Sequence, residues 1–280
     1  MPLVEPVPLL PATAVGGVHF IAIGGAGMSA IAALYAELGV PVTGSDQADS
    51  AILQELRNQG IVAQVGHDPA HLGDAETVVV SSAVRESNVE LAEARRRGLR
   101  IWHRSAALGA LMIGRTGIAV TGTHGKTTTS AMIAVSLAEC GADPSYVIGS
   151  PLTASVPRPT GAARGETPSP TAAEASWRSS GRGSRIGGGD AFVIEADESD
   201  GSFLQYPAEI VVITNVEADH LDNWATPQAY ADGFARLARQ PQVRTVILDA
   251  DDPGTRALAD DLAGAGKQVV LVGEAPDADV

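Results

Sequence analysis

One run of residues, Thr121-Gly122-Thr123-His124-Gly125-Lys126-Thr127-Thr128-Thr129, has the types and spacing needed to hold a nucleotide triphosphate. Glycines let a backbone close around an anion. The first turn of a helix adds unpaired N–H groups and a partial positive charge. Lys126 would reach the β- and γ-phosphates, and the Thr127 hydroxyl would ligate Mg²⁺. Gly122, Thr123, His124, Gly125 and Thr128 complete the ATP-binding turn. The general P-loop pattern also wants a glycine where this chain has Val120, so the loop is a shorter variant, GTHGKT. A bare Gly-Lys-Thr suits an ordinary exposed turn as well. Its context weighs against that: the apolar run Gly117–Val120 reads as a strand before it, and helical periodicity from Ser130 to about Cys140 follows.

A second set lies near the start. Gly25, Gly27 and Ala30 fit the G-x-G-x-x-G/A dinucleotide fingerprint, after an apolar strand at Val18–Ile23 and before a helical pattern to about Leu38. A short strand at Val40–Thr43 leads into Gly44-Ser45-Asp46, and Asp46 falls roughly 20 residues on, where the fingerprint expects a ribose-binding acid. The pattern does not choose a nucleotide, because a dehydrogenase and a UDP-sugar binder start alike. A third set comes from two strand ends, Glu195-Ala196-Asp197-Glu198 and Glu217-Ala218-Asp219-His220-Leu221-Asp222. Carboxylates and an imidazole beside Lys126 and Thr127 are the ligand set of a second divalent cation; singly, each suits an acidic turn or a helix cap.

The elements that must position these groups alternate between strand and helix, which implies parallel sheets with right-handed crossovers. Helices are expected over Asp49–Gln59, Asn88–Arg97 and Ser105–Ile113, the last capped by Ser105. Strands are expected at Ile61–Val65, Thr77–Ser81 and Leu99–Trp102. Ser81-Ser82 then sits at the carboxyl end of a strand, where open α/β sheets bind ligands. His67, His71, His103 and Arg104 lie near strand ends and read as surface or capping residues. The fold class is α/β: a Rossmann-like parallel-sheet domain over 1–114, then a P-loop-type ATP-binding domain over 115–280. Thr153–Gly189, rich in Ala, Ser, Gly, Pro and Arg, reads as a flexible surface insertion. Ser145–Gly149, Ala191–Glu195, Glu209–Val216, Val243–Asp249 and Gln268–Val272 read as strands, with helices at Pro227–Arg239 and Pro253–Leu262.

At 280 residues with 45% hydrophobic content, two ordinary domains can have real cores. The net charge of −14 argues against nucleic acid or an anionic membrane as partner. The single cysteine, Cys140, cannot form an internal disulfide and reads as a core or half-buried residue. No secretory signal and no apolar run long enough to insert in a membrane is visible, so a cytoplasmic enzyme is expected.

Taken together, GGAGMS (24–29), GSD (44–46), SSA (81–83), TGTHGKTTT (121–129), EADESDGSF (195–203) and TNVEADHLD (214–222) resemble the Mur ligases of bacterial peptidoglycan synthesis. The resemblance covers nearly the whole chain apart from the insertion. It implies that the first domain holds UDP-N-acetylmuramate, with Gly24, Gly25, Ala26 and Gly27 at the diphosphate and Ser45, Asp46, Ser81 and Ser82 toward the uridine. It implies MgATP at Gly122–Thr128, one Mg²⁺ (or Mn²⁺) by Thr127, and another metal held by Glu195 and His220. Lys126, Glu195 and His220 would be the catalytic residues. The implied reaction activates the lactyl carboxylate as an acyl phosphate, which the amine of L-alanine then attacks. The run Ser199-Asp200-Gly201-Ser202-Phe203 is similar to the alanine-adding members rather than to the muropeptide-recycling tripeptide ligase. The family has a third domain with no counterpart before Val280, which leaves an inactive UDP-sugar- and ATP-binding fragment as a rival expectation. An NAD-dependent oxidoreductase would account for the first glycine motif alone.

Overall fold

The computed structural model describes residues 3–152 and 183–280. β1 (Val18–Ile21), β2 (Val42–Asp46), β3 (Val62–Val65), β4 (Thr77–Val80) and β5 (Arg100–His103) form a parallel sheet in the order β3-β2-β1-β4-β5. Helices α1 (Ala26–Glu37), α2 (Ala51–Asn58), α3 (Val89–Arg96) and α4 (Arg104–Met112) make the crossovers. Every residue of β1 is buried, as a strand covered on both faces requires. The strand order reverses between β1 and β4, which opens a crevice above their carboxyl ends.

β6 (Thr116–Thr121), β7 (Ser145–Val147), β8 (Ser184–Arg185), β9 (Ala191–Glu195), β10 (Ile210–Ile213), β11 (Thr245–Asp249) and β12 (Gln268–Val272) form the second sheet. Its order is β12-β11-β10-β6-β9-β7-β8, parallel except for the β7–β8 pair. β6 lies between β9 and β10, so the turn after β6 leads into α5 (Lys126–Glu139) flanked by two strand ends. Under this sheet Phe203, Trp224, Tyr230 and Phe234 stack edge to face, with centroids 5.1 to 6.1 Å apart.

The structure moves several expected boundaries. β2 begins at Val42 rather than Val40 and carries Ser45 and Asp46 inside the strand, because both its edges are paired along that length. Ladder pairing there overrides the weak strand preference of Gly, Ser and Asp. α4 begins at Arg104, and its cap is His103, whose Nδ1 accepts the Ser105 N–H at 3.4 Å; Ser105 is inside the helix. α5 begins at Lys126, four residues earlier than its periodicity shows, because the threonine run masks the first turn. Cys140 follows α5 at the surface and is not in the core.

Of the expected insertion, 153–182 lies outside the described residues. Its far end is part of the fold: Ser184 and Arg185 pair with β7, and Asp143 accepts the Gly188 N–H at 2.7 Å. The N-terminal residues form a strap over the second sheet's side of the molecule. Val4 donates to the Asp200 carbonyl at 2.9 Å, and Val7 exchanges two bonds with the Gln205 amide, at 2.7 and 2.9 Å.

Candidate functional site

The GTHGKT turn is built by close backbone approach. Gly122 has φ +132, and a Cβ there would lie 2.1 Å from Thr214 Oγ1 and 3.0 Å from Asn215 N. Gly125 caps α5 in the left-handed region at φ +83. Thr214 and Asn215, just past β10, pin the loop. The His124 N–H donates to Asn215 Oδ1 at 2.8 Å, and the His124 carbonyl accepts from Thr214 Oγ1 at 2.6 Å. His124, Gly125 and Thr128 are exposed at the mouth of the turn. Thr123 instead turns inward: its hydroxyl donates to the Glu217 carbonyl at 2.9 Å and meets Tyr230 Oη at 3.0 Å. It therefore braces the loop from behind.

Lys126 Nζ donates to the carbonyls of Gly122 at 2.7 Å and Thr123 at 3.1 Å, and pairs with Glu198 Oε2 at 3.0 Å. Glu198 is fully buried, with Tyr230 Oη donating to its Oε1 at 3.2 Å. Burial pushes the Glu198 carboxyl up, against the opposing pull of Lys126. The sequence motif contains Glu198, but its role escapes sequence reading because only the turn after β9 brings it beneath Lys126.

The expected metal ligands separate into two groups. Thr127 Oγ1 donates to Glu195 Oε1 at 2.8 Å, and Glu195 Oε2 accepts the Gly149 N–H at 2.7 Å. His220 pairs at 3.8 Å with Glu198 and with Asp219, not with Glu195. Among the described residues no three His, Cys, Asp or Glu side chains gather as a metal cage. The Thr127 hydroxyl and Glu195 carboxylate are hard oxygen donors on one side of the loop. That fits Mg²⁺, which takes one or two protein oxygens and fills its shell with phosphate and water.

In the first sheet, Gly25, Ala26 and Gly27 are exposed where the chain enters α1. Ala22, just before them, sits at φ 63, a strained conformation for a non-glycine residue. Asp46 Oδ2 accepts the Gly24 N–H at 2.9 Å and so ties the end of β2 to the glycine turn. Ser45 is fully buried, its hydroxyl donating to Glu90 Oε2 at 2.5 Å, which removes that side chain from any surface role. Ser81 is half-buried. Ser82 is exposed, donating to Asp200 Oδ2 at 3.1 Å and meeting His103 Nε2 at 3.1 Å. Burial pushes the His103 imidazole down to about 4, against the opposing pull of Asp200.

Two hollows flank the glycine turn. One, of about 540 Å³, is lined by Ala22, Asp46, His67, Arg85 and Asn88. The other, a cleft of about 600 Å³, is lined by Ala26, Gly27 and Arg104 on one wall and Lys126, Gly149, Glu195 and Asp197 on the other. The first glycine turn and the GTHGKT lysine, separate in sequence, thus open on one cleft. Arg104, which the sequence left as a surface residue, stands in it 3.7 Å from Asp197.

Two α/β sheets, each with a glycine-bearing strand-to-helix turn at its switch point and both turns opening on a common cleft, define a two-sheet α/β architecture. The model for the Mur ligase family, catalytic domain, matches residues 17–116, and that for the Mur ligase middle domain matches 120–280. The chain belongs to the Mur ligase family. It is 58% identical, over its full length and 54% of the relative's, to a UDP-N-acetylmuramate–L-alanine ligase of Cutibacterium acnes. A crystal structure of such a ligase from Thermotoga maritima matches 92% of this chain and 53% of its own, at 28% identity and TM-score 0.72. A murein peptide ligase from Psychrobacter arcticus matches 94% of this chain and 55% of its own, at 25% identity and TM-score 0.73. The fold does not separate the alanine-adding from the peptide-adding relative; the sequence identity favours the former. The chain spans about half the length of the curated relatives it matches. No described helix is long and apolar enough to cross a membrane.

Proposed function

We propose that this sequence carries the two nucleotide sites of an ATP-dependent amide ligase that joins L-alanine to the lactyl carboxylate of UDP-N-acetylmuramate. The supporting observation is the shared cleft, in which the glycine turn of one sheet faces Lys126 and Glu195 of the other. Residues 1–114 would hold the UDP-sugar, and 115–280 MgATP. The nucleoside end would lie in the hollow beside Asp46, the diphosphate over Gly24–Gly27, and the sugar in the cleft toward Lys126. The lactyl carboxylate would attack the γ-phosphorus of ATP and release ADP, leaving an acyl phosphate. The amine of L-alanine would then displace phosphate to form the amide. Activation is required because a free carboxylate is a poor electrophile.

Lys126 would leave Glu198 to neutralise charge on the transferred phosphoryl group, and the N–H groups of the loop would hold the phosphates. Thr127 and Glu195 would hold Mg²⁺, with His220 and Glu198 at the far side of the lysine. A bound Mg²⁺ supplies charge neutralisation at the β- and γ-phosphates. The cleft walls would keep water from the activated carboxyl. Turnover is proposed for a protein of the relatives' full length, and binding of both nucleotides for these residues.

Calorimetric titration with UDP-N-acetylmuramate in Mg²⁺ buffer, with NAD as control, tests the assignment. Saturable heat with the sugar nucleotide and none with NAD is expected. Heat with NAD alone would turn the first site into a dehydrogenase-type site. Absence of binding in a sample whose circular dichroism shows the α/β fold would remove the reading.

A further inference from the structure

Two charged groups stand outside the proposed reaction, and they differ in how far their partners satisfy them. The Glu90 carboxylate is fully buried in the first turn of α3. Its oxygens are fully used, by His71 Nδ1 at 3.0 Å, the Asp68 N–H at 3.3 Å, the Ser45 hydroxyl at 2.5 Å and His67 Nδ1 at 2.9 Å. Burial would raise this carboxyl, but its contacts with His19, Ser45 and His67 outweigh that and hold it at about 2.

Arg104 is the opposite case. It is the first residue of α4 and stands on one wall of the cleft of about 600 Å³, with Asp197, in the turn after β9, on the other wall. Arg104 Nη2 lies 3.7 Å from Asp197 Oδ2, with the two side chains 31% and 45% exposed. That distance is too long for a hydrogen bond, and the guanidinium makes none among the described residues. Its Nη1 lies against the glycine turn, where a Cβ on Gly27 would be 3.4 Å away. Lys126, the other cation lining the cleft, is already held by Glu198 and two carbonyls.

We propose that Asp197 is an internal competitor for Arg104. It holds the guanidinium across the cleft while the first site is empty, and the diphosphate of a nucleotide on the glycine turn takes the guanidinium from it. The proposal rests on the placement of the diphosphate over Gly24–Gly27.

The magnitudes permit the exchange. A part-exposed ion pair of this kind biases an equilibrium by no more than about 5-fold. A diphosphate offers the planar guanidinium two parallel N–H···O bonds and more charge than one carboxylate, so it wins the competition. No proton moves, since arginine stays charged in both states. Asp197 keeps its place when released, because its Oδ1 accepts the Ser199 N–H at 3.0 Å. Arg104 belongs to the first sheet's side of the cleft and Asp197 to the second's, so filling the first site undoes one tie between the two walls.

Calorimetry with UDP on the 280-residue chain, run as a double-mutant cycle, tests this. Asp197→Asn keeps an oxygen for the Ser199 N–H and removes the charge. It is expected to tighten UDP by about 3- to 10-fold. Part of any such gain comes from lost repulsion of phosphate, which needs no Arg104, so the cycle decides. In an Arg104→Gln background the same substitution is expected to give less than about 2-fold. Arg104→Gln alone is expected to weaken UDP by roughly 10- to 100-fold. The Arg104 Nε–H resonance in a ¹⁵N–¹H spectrum is expected to move with Asp197→Asn in the free chain, and with UDP in the wild type. An equal gain from Asp197→Asn in both backgrounds would make Asp197 a plain repulsive charge and overturn the proposal, with the UDP site left standing. So would unchanged or weaker UDP binding by an Asp197→Asn protein whose circular dichroism matches the wild type. A folded wild-type chain that binds no UDP would remove the proposal together with the placement it rests on.

Discussion

Lys126 faces two ways. In the structure its ammonium is held by two loop carbonyls and by Glu198, and in the proposed function a nucleotide would have to draw it off. Lys126→Ala should weaken MgATP binding by roughly 10- to 100-fold, since it deletes a charge-assisted contact to phosphate. In a protein of the relatives' full length it should abolish ADP release; retained release would sink the phosphoryl-transfer scheme. Glu198→Gln should act oppositely. It removes both the counter-charge competing for Lys126 and a negative group near the phosphates, so MgATP should bind tighter, by up to about 10-fold. Calorimetry reads both changes, and weaker binding in Glu198→Gln would make Glu198 part of the nucleotide site. The GTHGKT turn singled out Lys126 and Thr127 in the sequence and a strand end singled out Glu195, and the structure brings Thr127 and Glu195 into contact. The roles of Glu198, Arg104 and the cluster around Glu90 were not legible. Their contacts cross between turns remote in the chain, and an isolated His or Glu carries no signal of what it will meet. Ser45 shows the reverse error: its motif suggested a ligand contact, yet the side chain is spent on Glu90.

At the scale of elements, the glycine turn after β6 tolerates no side chain. Gly122→Ala would drive a methyl into Thr214 and Asn215 and impose φ +132 on an alanine. A destabilisation of about 2 to 4 kcal/mol is expected, read as a lowered denaturant midpoint with unchanged slope. Helix Pro227–Ala238 rests on an ordinary cap, the Thr226 hydroxyl accepting the Ala229 N–H at 3.1 Å. Thr226→Ala should cost about 1 kcal/mol and leave nucleotide binding intact. Strands and helices of this kind were legible because burial on both faces forces continuous apolar runs, and Pro253 or Gly98 marks an end. The shifted boundaries fall where tertiary pairing outweighs local preference, at β2, or where threonines disguise a first helical turn, at α5. β8 was not legible at all, because two residues in a polar stretch become a strand only through their partner β7.

The molecule as a whole should respond to acid in two stages. His103 is held at about 4 against an ordinary 6.5. Between those values the unfolded chain takes up a proton that the folded chain refuses, so stability falls as pH drops from about 6.5 to 4. Glu90 is held at about 2 against 4.5, so its contribution is complete above about 4.5 and is lost as pH falls toward 2. The Glu90 stage is worth on the order of 3 kcal/mol. Thermal melts across pH 2 to 8 should show both stages, and His103→Asn, whose side chain can still cap α4, should erase the upper one alone.

The strap at the N-terminus changes how the two sheets can move. The chain passes from one to the other through Ile113, Gly114 and Arg115, and residues 4 to 7 cross back to bond Asp200 and Gln205. A polypeptide link alone would let one sheet swivel on the other. The strap, the Ser82–Asp200 hydrogen bond and the Arg104–Asp197 pair tie the two on further sides, so the glycine turn of the first sheet and the GTHGKT turn of the second part only when these contacts give way together.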